Sequence, residues 1–108
     1  MAEVSVISTI HKFGLAAYAD TKAGALSGGN KRKLCLAMAM LGQPKVVYID
    51  EASAGIDPAS RRTMWKAIKS EGVNSAVVQT THAMEVAEAL SSKLGIMVAG
   101  RFTCFGTL

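Results

Sequence analysis

The stretch that decides the fold of this chain begins with the sequence LSGGN at residues 26–30 and ends with VVYIDEASAGID at residues 46–57. Ser27 followed by two glycines predicts a helix start, where unpaired backbone N–H groups and the positive end of the helix dipole favour a phosphate. The apolar run that ends in Asp50 and Glu51 predicts a buried strand whose two carboxylates suit a metal ion and an attacking water. Together these features indicate phosphoryl chemistry on a nucleotide.

Helical and strand patterns alternate on both sides of this stretch. Ser27 and Asp57 each stand where a helix N-cap is expected, and Pro58 suits the first helical position. We predict helices over residues 3–13, 28–41, 58–70 and 84–90, an irregular connection over 15–25, and strands over 46–49, 75–80, 94–98 and 101–105. The order strand, helix, strand, helix, strand is typical of an α/β fold with a largely parallel sheet, flanking helices and a C-terminal hairpin.

Three local patterns add detail to this prediction. The β-branched residues 4–7 leave a short strand possible at the start of the first helix. Residues 34–41 are apolar on every side, so that half of the helix is expected to be buried all round, and residues 46–49 read as a strand covered on both faces. Ala99 and Gly100 form a plausible two-residue hairpin turn.

Composition limits the classes of partner. The 108 residues hold 12 Lys and Arg against 8 Asp and Glu, a net charge of +4 that favours anionic ligands. Residues 31–33 form a basic cluster with no interleaved aromatics, which does not favour a nucleic-acid surface. These residues lie near the start of a helix, where they could face a bound polyphosphate, and a solvated basic face is an equally good interpretation.

Cysteine usage and hydropathy limit the setting. The two cysteines, Cys35 and Cys104, match no disulfide or metal-ligand spacing and are expected to be reduced thiols in a cytosolic setting. No basic leader precedes an apolar segment, and no apolar run approaches the roughly 18 residues that span a bilayer. We therefore expect no segment of this sequence to enter a membrane by itself.

With these motifs in this order, the chain resembles the C-terminal half of the nucleotide-binding domain of an ABC transporter. Residues 26–30 resemble the signature motif, 46–51 the Walker B strand and 54–57 the D-loop, while His82 resembles the switch histidine. The basic run after the signature and the sequence THAME at residues 81–85 are most similar to the A subfamily, whose members mainly move lipids. The resemblance implies a partial P-loop-type domain, with residues 1–44 as part of a helical subdomain and 45–108 as the Walker B to switch-histidine portion.

The resemblance implies that the signature residues bind the γ-phosphate of an ATP molecule held by an opposite domain. These residues are Leu26, Ser27, Gly28, Gly29 and Asn30. Asn30 stands where most ABC proteins carry Gln, which is similar to the A-subfamily variant. Without the accompanying motifs, the same residues read as an ordinary capped helix start.

The acids and the histidine receive roles from the same resemblance. Asp50 would bind Mg²⁺ through water, Glu51 would orient or deprotonate the attacking water, and His82 would contact the γ-phosphate. Asp57 resembles the D-loop acid that communicates across the interface of two domains, while its alternative role is a helix cap. The acids at the strand end could also simply cap the next turn. Ala52 and Ala54 replace the Pro and Thr common in the family, which leaves the geometry of this loop open.

The sequence contains no Walker A loop and no glutamine loop, which in the family supply most contacts to ATP. We therefore expect the 108 residues alone neither to bind ATP tightly nor to hydrolyse it. In a complete transporter the resemblance implies ATP and Mg²⁺ as cofactors and, as partners, a second nucleotide-binding domain and transmembrane domains at the cytoplasmic face of a membrane. A soluble ABC-type ATPase and a non-catalytic module that pairs with an intact domain remain alternatives.

Overall fold

A computed structural model describes residues 2–108, with side chains described from residue 5 onward. Its helices and strands follow the predicted order and confirm the α/β class. The helices are α1 (Ala2–Lys12), α2 (Gly28–Met40), α3 (Pro58–Glu71) and α4 (Met84–Leu90), and the strands are β1 (Val46–Asp50), β2 (Ala76–Thr80), β3 (Lys93–Val98) and β4 (Arg101–Thr107). Residues 2–12 are helical, which excludes the alternative strand over residues 4–7. Short 3-10 turns occupy Ala16–Tyr18, Ala23–Ala25 and Gly72–Asn74.

Both predicted N-caps are present. The Ser27 hydroxyl accepts a hydrogen bond of 3.2 Å from the backbone N–H of Asn30, which fixes the first turn of α2. The Asp57 carboxylate accepts one of 3.1 Å from the N–H of Ser60, and Pro58 occupies the first turn of α3. These contacts satisfy helical N–H groups that have no partner within the helix.

The strands form two separate sheets. β1 and β2 pair in parallel, and β3 and β4 pair antiparallel around Ala99 and Gly100, both of which have positive φ. The predicted parallel pairing and the C-terminal hairpin are therefore present, but β3 does not extend the parallel pair as the strand order suggested. A β-bulge interrupts the register between Ile96 and Met97, and there the Thr103 hydroxyl donates a hydrogen bond of 3.2 Å to the Ile96 carbonyl.

The core lies between the parallel strands and the helices that pack against one of their faces. Its largest fully buried side chains are Phe13, Met40 and Met64, from the turn just after α1, the end of α2 and the middle of α3. Aliphatic residues supply most of the remainder, in a sequence of which only 6% is aromatic. The other members of the cluster are Leu15, Leu36, Ala37, Val47, Ile49, Ile56, Ala67 and Ile68.

Helix α2 is not buried all round, so the expectation for residues 34–41 is wrong. Leu36, Ala37 and Met40 are buried, but Cys35 is exposed and Met38 is 66% exposed. The helix packs one face against the core and leaves its other apolar face open, and side-chain composition alone does not reveal which faces have neighbours.

β1 is covered on one face only, which corrects the second expectation about burial. Val47 and Ile49 are buried in the core, whereas Tyr48 is 79% exposed and Val46 is also exposed. The helices described here pack against the face that carries Val47 and Ile49. Strand residues alternate between faces, so Val46 and Tyr48 necessarily point to the other face.

Candidate functional site

The candidate site lies at the edge of the sheet where β1 and β2 end. The two strands are parallel and in register, so Asp50 stands opposite Thr80, and Glu51 and His82 follow directly after them. The Thr80 hydroxyl donates a hydrogen bond to Oδ1 of Asp50. This contact holds an exposed carboxylate at the strand end with its second oxygen available to a ligand.

The carboxylate of Glu51 faces the imidazole of His82. Oε1 of Glu51 lies 2.9 Å from Nδ1 of His82, with the histidine side chain 85% exposed and the glutamate side chain 37% exposed. An ionised carboxylate only accepts hydrogen bonds, so this contact requires a proton on Nδ1. The opposite ring nitrogen, Nε2, is then left to contact a ligand or water.

Backbone contacts on both sides hold this pair in place. Glu51 has a φ of 52°, and its N–H donates to the Thr80 carbonyl at 3.1 Å while its own carbonyl accepts from Ala54 N–H at 3.2 Å. After β2, the Thr81 hydroxyl accepts from Ala83 N–H at 3.0 Å, which closes a small turn around His82. The two catalytic candidates therefore sit on short, hydrogen-bonded turns instead of free loops.

The loop that carries Asp57 is tied to α4 by an arginine. The Arg61 guanidinium donates to the Ile56 carbonyl at 3.3 Å and lies 3.7 Å from the Glu85 carboxylate. Hydrogen bonds from Ser60, chiefly from its backbone N–H and then from its side chain, hold the pKa of Asp57 below its ordinary value. Asp57 is thus an ionised helix cap. The carbonyl of the preceding residue, Ile56, is held by Arg61, which also contacts Glu85 on α4.

The residues at the start of α2 form a separate group. Ser27 caps the helix, Asn30 supplies the N–H for that cap, and the half-buried Leu26 lines an apolar cavity. Apart from the chain neighbours and the backbone of its own helix, a Cβ atom at Gly28 or Gly29 would meet no described atom within 4 Å. Packing within the described chain therefore does not require glycine at these two positions.

Arg32 connects the start of α2 with the residues at the sheet edge. Its Nη1 donates to the Glu51 carbonyl across 3.1 Å, so a side chain of α2 reaches the turn that carries Glu51. The three basic residues after Asn30 consequently differ: Lys31 is exposed, Arg32 contacts Glu51, and Lys33 is buried. Neither interpretation of the basic run, as a phosphate-facing cluster or as a solvated face, anticipated the contact of Arg32 or the burial of Lys33.

Sequence reasoning missed Thr80, Arg32 and Arg61 as parts of the site. Thr80 carried a usable signal, because the last residues of neighbouring parallel strands meet at one sheet edge. Arg32 and Arg61 carried none, since their partners are backbone carbonyls 19 and 5 residues away in the sequence.

The side chains available at this site can be compared with the ligands that metal ions require. Among residues 2–108, no group of three or more His, Cys, Asp or Glu side chains is arranged to hold a metal ion. Mg²⁺ is commonly held by one or two carboxylates together with substrate phosphates and water. Asp50, exposed and bonded through only one oxygen, fits that mode of binding.

Comparison with known proteins identifies the fold and its family. The family described as ABC transporter matches residues 2–54, and ATP-binding cassette sub-family A member 7 of Mus musculus is 48% identical over 106 residues. That alignment covers 95% of this chain and 5% of the relative. The chain belongs to the ABC transporter family. ABC transporter A family member 4 of Arabidopsis thaliana is 54% identical over 88 residues, which are 82% of this chain and 9% of that protein.

Solved ABC structures agree with the assignment. The structure described as the ATP-binding subunit of an ABC transporter superposes with a TM-score of 0.84 at 25% identity, over 99% of this chain and 45% of that one. A putative metal-chelate type ABC transporter in an inward-facing conformation gives a TM-score of 0.77 over 96% of this chain and 42% of that one, at 23% identity, and shows the fold alone. This ABC chain is therefore a segment of an ATP-binding domain, and it spans 5 to 10% of the length of its curated A-family relatives. Residues 2–108 contain no helix long and apolar enough to cross a bilayer.

Proposed function

We propose that this chain is the part of a lipid-transporting ABC ATPase that supplies the signature, Walker B, D-loop and switch histidine of one ATP-binding domain. The observation that carries the proposal is the meeting of Asp50, Glu51 and His82 at one sheet edge, with Glu51 Oε1 2.9 Å from His82 Nδ1. Ligands bind in α/β sheets at the carboxyl ends of parallel strands, which is where this group lies.

Glu51 is the proposed group that orients or deprotonates the attacking water. Its carboxylate accepts hydrogen bonds, and its backbone is fixed by contacts to Thr80 and Ala54. A water between Glu51 and a terminal phosphate would be held on the side opposite the leaving group, as in-line transfer requires. His82, whose Nδ1 proton faces Glu51, would direct Nε2 toward the phosphate.

Asp50 is the residue that would hold Mg²⁺, through water, while the Thr80 hydroxyl holds its carboxylate in place. When bound with ATP, the ion would neutralise charge on the phosphates during transfer. The chain's own contribution is to fix Asp50 through its hydrogen bond to Thr80 at the end of β2.

The start of α2 is the proposed contact to the ATP of an opposing domain. Leu26, Ser27, Gly28, Gly29 and Asn30 surround the N-terminal end of a helix of 13 residues, where N–H groups and the helix dipole favour phosphate. The open space around both glycines supports this role, because a close approach from outside explains their lack of a side chain. Asp57, at the end of the neighbouring loop, would face the same partner domain.

Lipid is the proposed cargo class. The Homo sapiens relative called phospholipid-transporting ATPase ABCA7 is 50% identical over 103 residues, 93% of this chain. On this proposal, transmembrane domains of the same transporter are driven by ATP hydrolysis in a pair of ATP-binding domains at the cytoplasmic face of a membrane.

The test is Mg²⁺-dependent ATPase activity and lipid movement by the intact transporter that contains this segment, reconstituted in vesicles. Glu51→Gln is expected to lower kcat by about 100-fold or more while ATP still binds, because a positioned base contributes about 10² to 10⁴ in rate. Glu88→Gln, an exposed substitution of the same type on α4, is the control and should behave as the wild type. Full activity of the Glu51→Gln transporter would contradict the assignment of the site.

A further inference from the structure

The backbone of Glu51 adopts a conformation that needs support. Its φ of 52° lies in the left-handed region, which costs a residue with a side chain about 1 to 2 kcal/mol. A residue stays in this region when surrounding contacts determine its conformation. The direction of the Glu51 carboxylate therefore depends on what holds the two peptide groups beside it.

Three hydrogen bonds hold those peptide groups. Two are local to the sheet edge: Glu51 N–H donates to the Thr80 carbonyl at 3.1 Å, and Ala54 N–H donates to the Glu51 carbonyl at 3.2 Å. The third comes from another element, since Arg32 of α2 donates to the same Glu51 carbonyl at 3.1 Å. Of the three hydrogen bonds, only this one joins the turn to α2, the helix capped by Ser27.

The chemistry of Arg32 suits this task. A guanidinium is always charged, and a hydrogen bond from a charged donor is roughly twice as strong as a neutral one. Arg32 lies five residues after Ser27, about 7.5 Å along the helix axis, within the second turn of a regular helix. A displacement of the helix start is therefore transmitted to the Glu51 peptide through a rigid element and one side chain.

We infer that Arg32 is a positioning residue that sets the direction of the Glu51 carboxylate and couples it to the start of α2. The inference rests on the proposed function, because it assigns Arg32 a role through the proposed catalytic Glu51. Arg32 does not touch the reacting atoms in this arrangement. Its loss should alter the rate of hydrolysis more than the binding of ATP or the stability of the fold.

A surface arginine with no functional role is the competing interpretation. A single exposed hydrogen bond can stabilise a fold without any functional role, so stability measurements alone cannot separate the two interpretations. Arg62 on α3 offers a matched comparison, because it is also an exposed arginine in the early part of a helix.

The experiment compares Arg32→Gln, Arg32→Lys and the control Arg62→Gln in the intact transporter that contains this segment. Arg32→Gln is expected to lower kcat by about 10- to 100-fold, because a misplacement of about 1 Å can reduce rate by that order. The KM for ATP should change by less than about threefold, and the melting temperature of the transporter should change little, because one exposed hydrogen bond is a small part of the stability of a large protein. Arg32→Lys should recover part of kcat, since an ammonium can reach the carbonyl but lacks the planar fork.

Chemical rescue supplies a readout that a structural role would not change. Guanidinium added at millimolar concentration should raise the kcat of an Arg32→Ala transporter and leave that of Glu51→Gln unchanged. Wild-type kcat in Arg32→Gln would overturn the inference, and so would equal losses in Arg32→Gln and Arg62→Gln. If Arg32→Gln does not fold, Arg32→Lys decides: wild-type kcat and KM there overturn the inference, whereas a lowered kcat at unchanged KM and melting temperature supports it.

The Glu51→Gln transporter keeps this test distinct from the test of the proposed function. Loss of activity in Glu51→Gln together with wild-type kcat in Arg32→Gln rejects the role of Arg32 alone. Full activity in Glu51→Gln rejects the proposed function and the role of Arg32 with it.

Discussion

At the scale of single residues, the candidate site depends on backbone positions as much as on side-chain types. Glu51 faces His82 because the parallel register places the ends of β1 and β2 side by side and because Glu51 adopts positive φ. Asp50 and Asp57 are equally acidic in the sequence but have different surroundings. Asp50 accepts a hydrogen bond from the Thr80 hydroxyl on the adjacent strand, whereas Asp57 accepts backbone and side-chain hydrogen bonds from Ser60.

Asp57 is expected to make stability depend on pH in the acid range. Hydrogen bonds from Ser60 lower its pKa in the folded chain below the ordinary value, so the unfolded chain binds more protons as the pH falls through the acid range. The contribution of the ionised cap is therefore complete above about pH 5 and is lost as the pH falls through the folded pKa. The measurement is the free energy of unfolding from pH 2 to pH 7 for the wild type and Asp57→Asn.

Asn keeps the cap acceptor without a titrating group, which makes Asp57→Asn the matched control. The difference in unfolding free energy between the two chains should be constant at neutral pH and should shrink on acidification. Parallel pH profiles down to pH 2 would show that the cap bond does not depend on the charge of Asp57.

At the scale of elements, local sequence features predicted where the helices and strands lie, whereas the packing of neighbouring elements determined which of their faces are buried. Caps at Ser27 and Asp57 fix where α2 and α3 begin, and the turn at Ala99 and Gly100 fixes the β3–β4 hairpin. The apolar second half of α2 and the apolar strand β1 nevertheless each keep one open face. Hairpin turns of this kind place both central residues at positive φ, which Asn and Gly tolerate better than Ala.

Ala99→Asn is expected to stabilise the hairpin. Ala99 has a φ of 49°, and replacing it by Asn should recover part of the roughly 1 to 2 kcal/mol that left-handed geometry costs. The midpoint of urea unfolding should rise at unchanged slope, as expected for a change in stability alone. Ala19→Asn is the control, because Ala19 is exposed with a right-handed helical φ of −57° and should gain nothing. A lower midpoint for Ala99→Asn would contradict the turn geometry.

At the scale of the whole molecule, one compact core coexists with open apolar surfaces. The turn after α1, helix α2 and helix α3 contribute Phe13, Met40 and Met64 to one cluster. The far face of β1 exposes Val46 and Tyr48, and the β3–β4 hairpin exposes Met97, Phe102 and Phe105 among its apolar side chains. Exposed apolar side chains such as these favour association.

The isolated 108-residue chain is expected to associate as its concentration rises. The double variant Phe102→Ser, Phe105→Ser should weaken association, because it removes two exposed rings that contact each other edge to face. Met38→Ser on α2 removes an exposed apolar side chain outside the hairpin and serves as the control. Light scattering across a wide concentration range measures the effect. A wild-type chain that stays monomeric throughout would show that these surfaces do not drive association.

The sequence by itself determined the order and type of the elements, the helix caps and the family. These features depend on local chemistry: a hydroxyl or carboxylate before a helix, apolar periodicity, and short motifs at fixed spacing. It also named Asp50, Glu51 and His82 as candidates, whose assigned roles stay predictions. Only the tertiary structure decided that Thr80 supports Asp50, that Arg32 holds the Glu51 carbonyl, that Lys33 is buried, and that β3 pairs with β4 alone. The physical reason is that burial and side-chain-to-backbone contacts depend on which surfaces meet in space, and a carbonyl partner leaves no trace in the residue types.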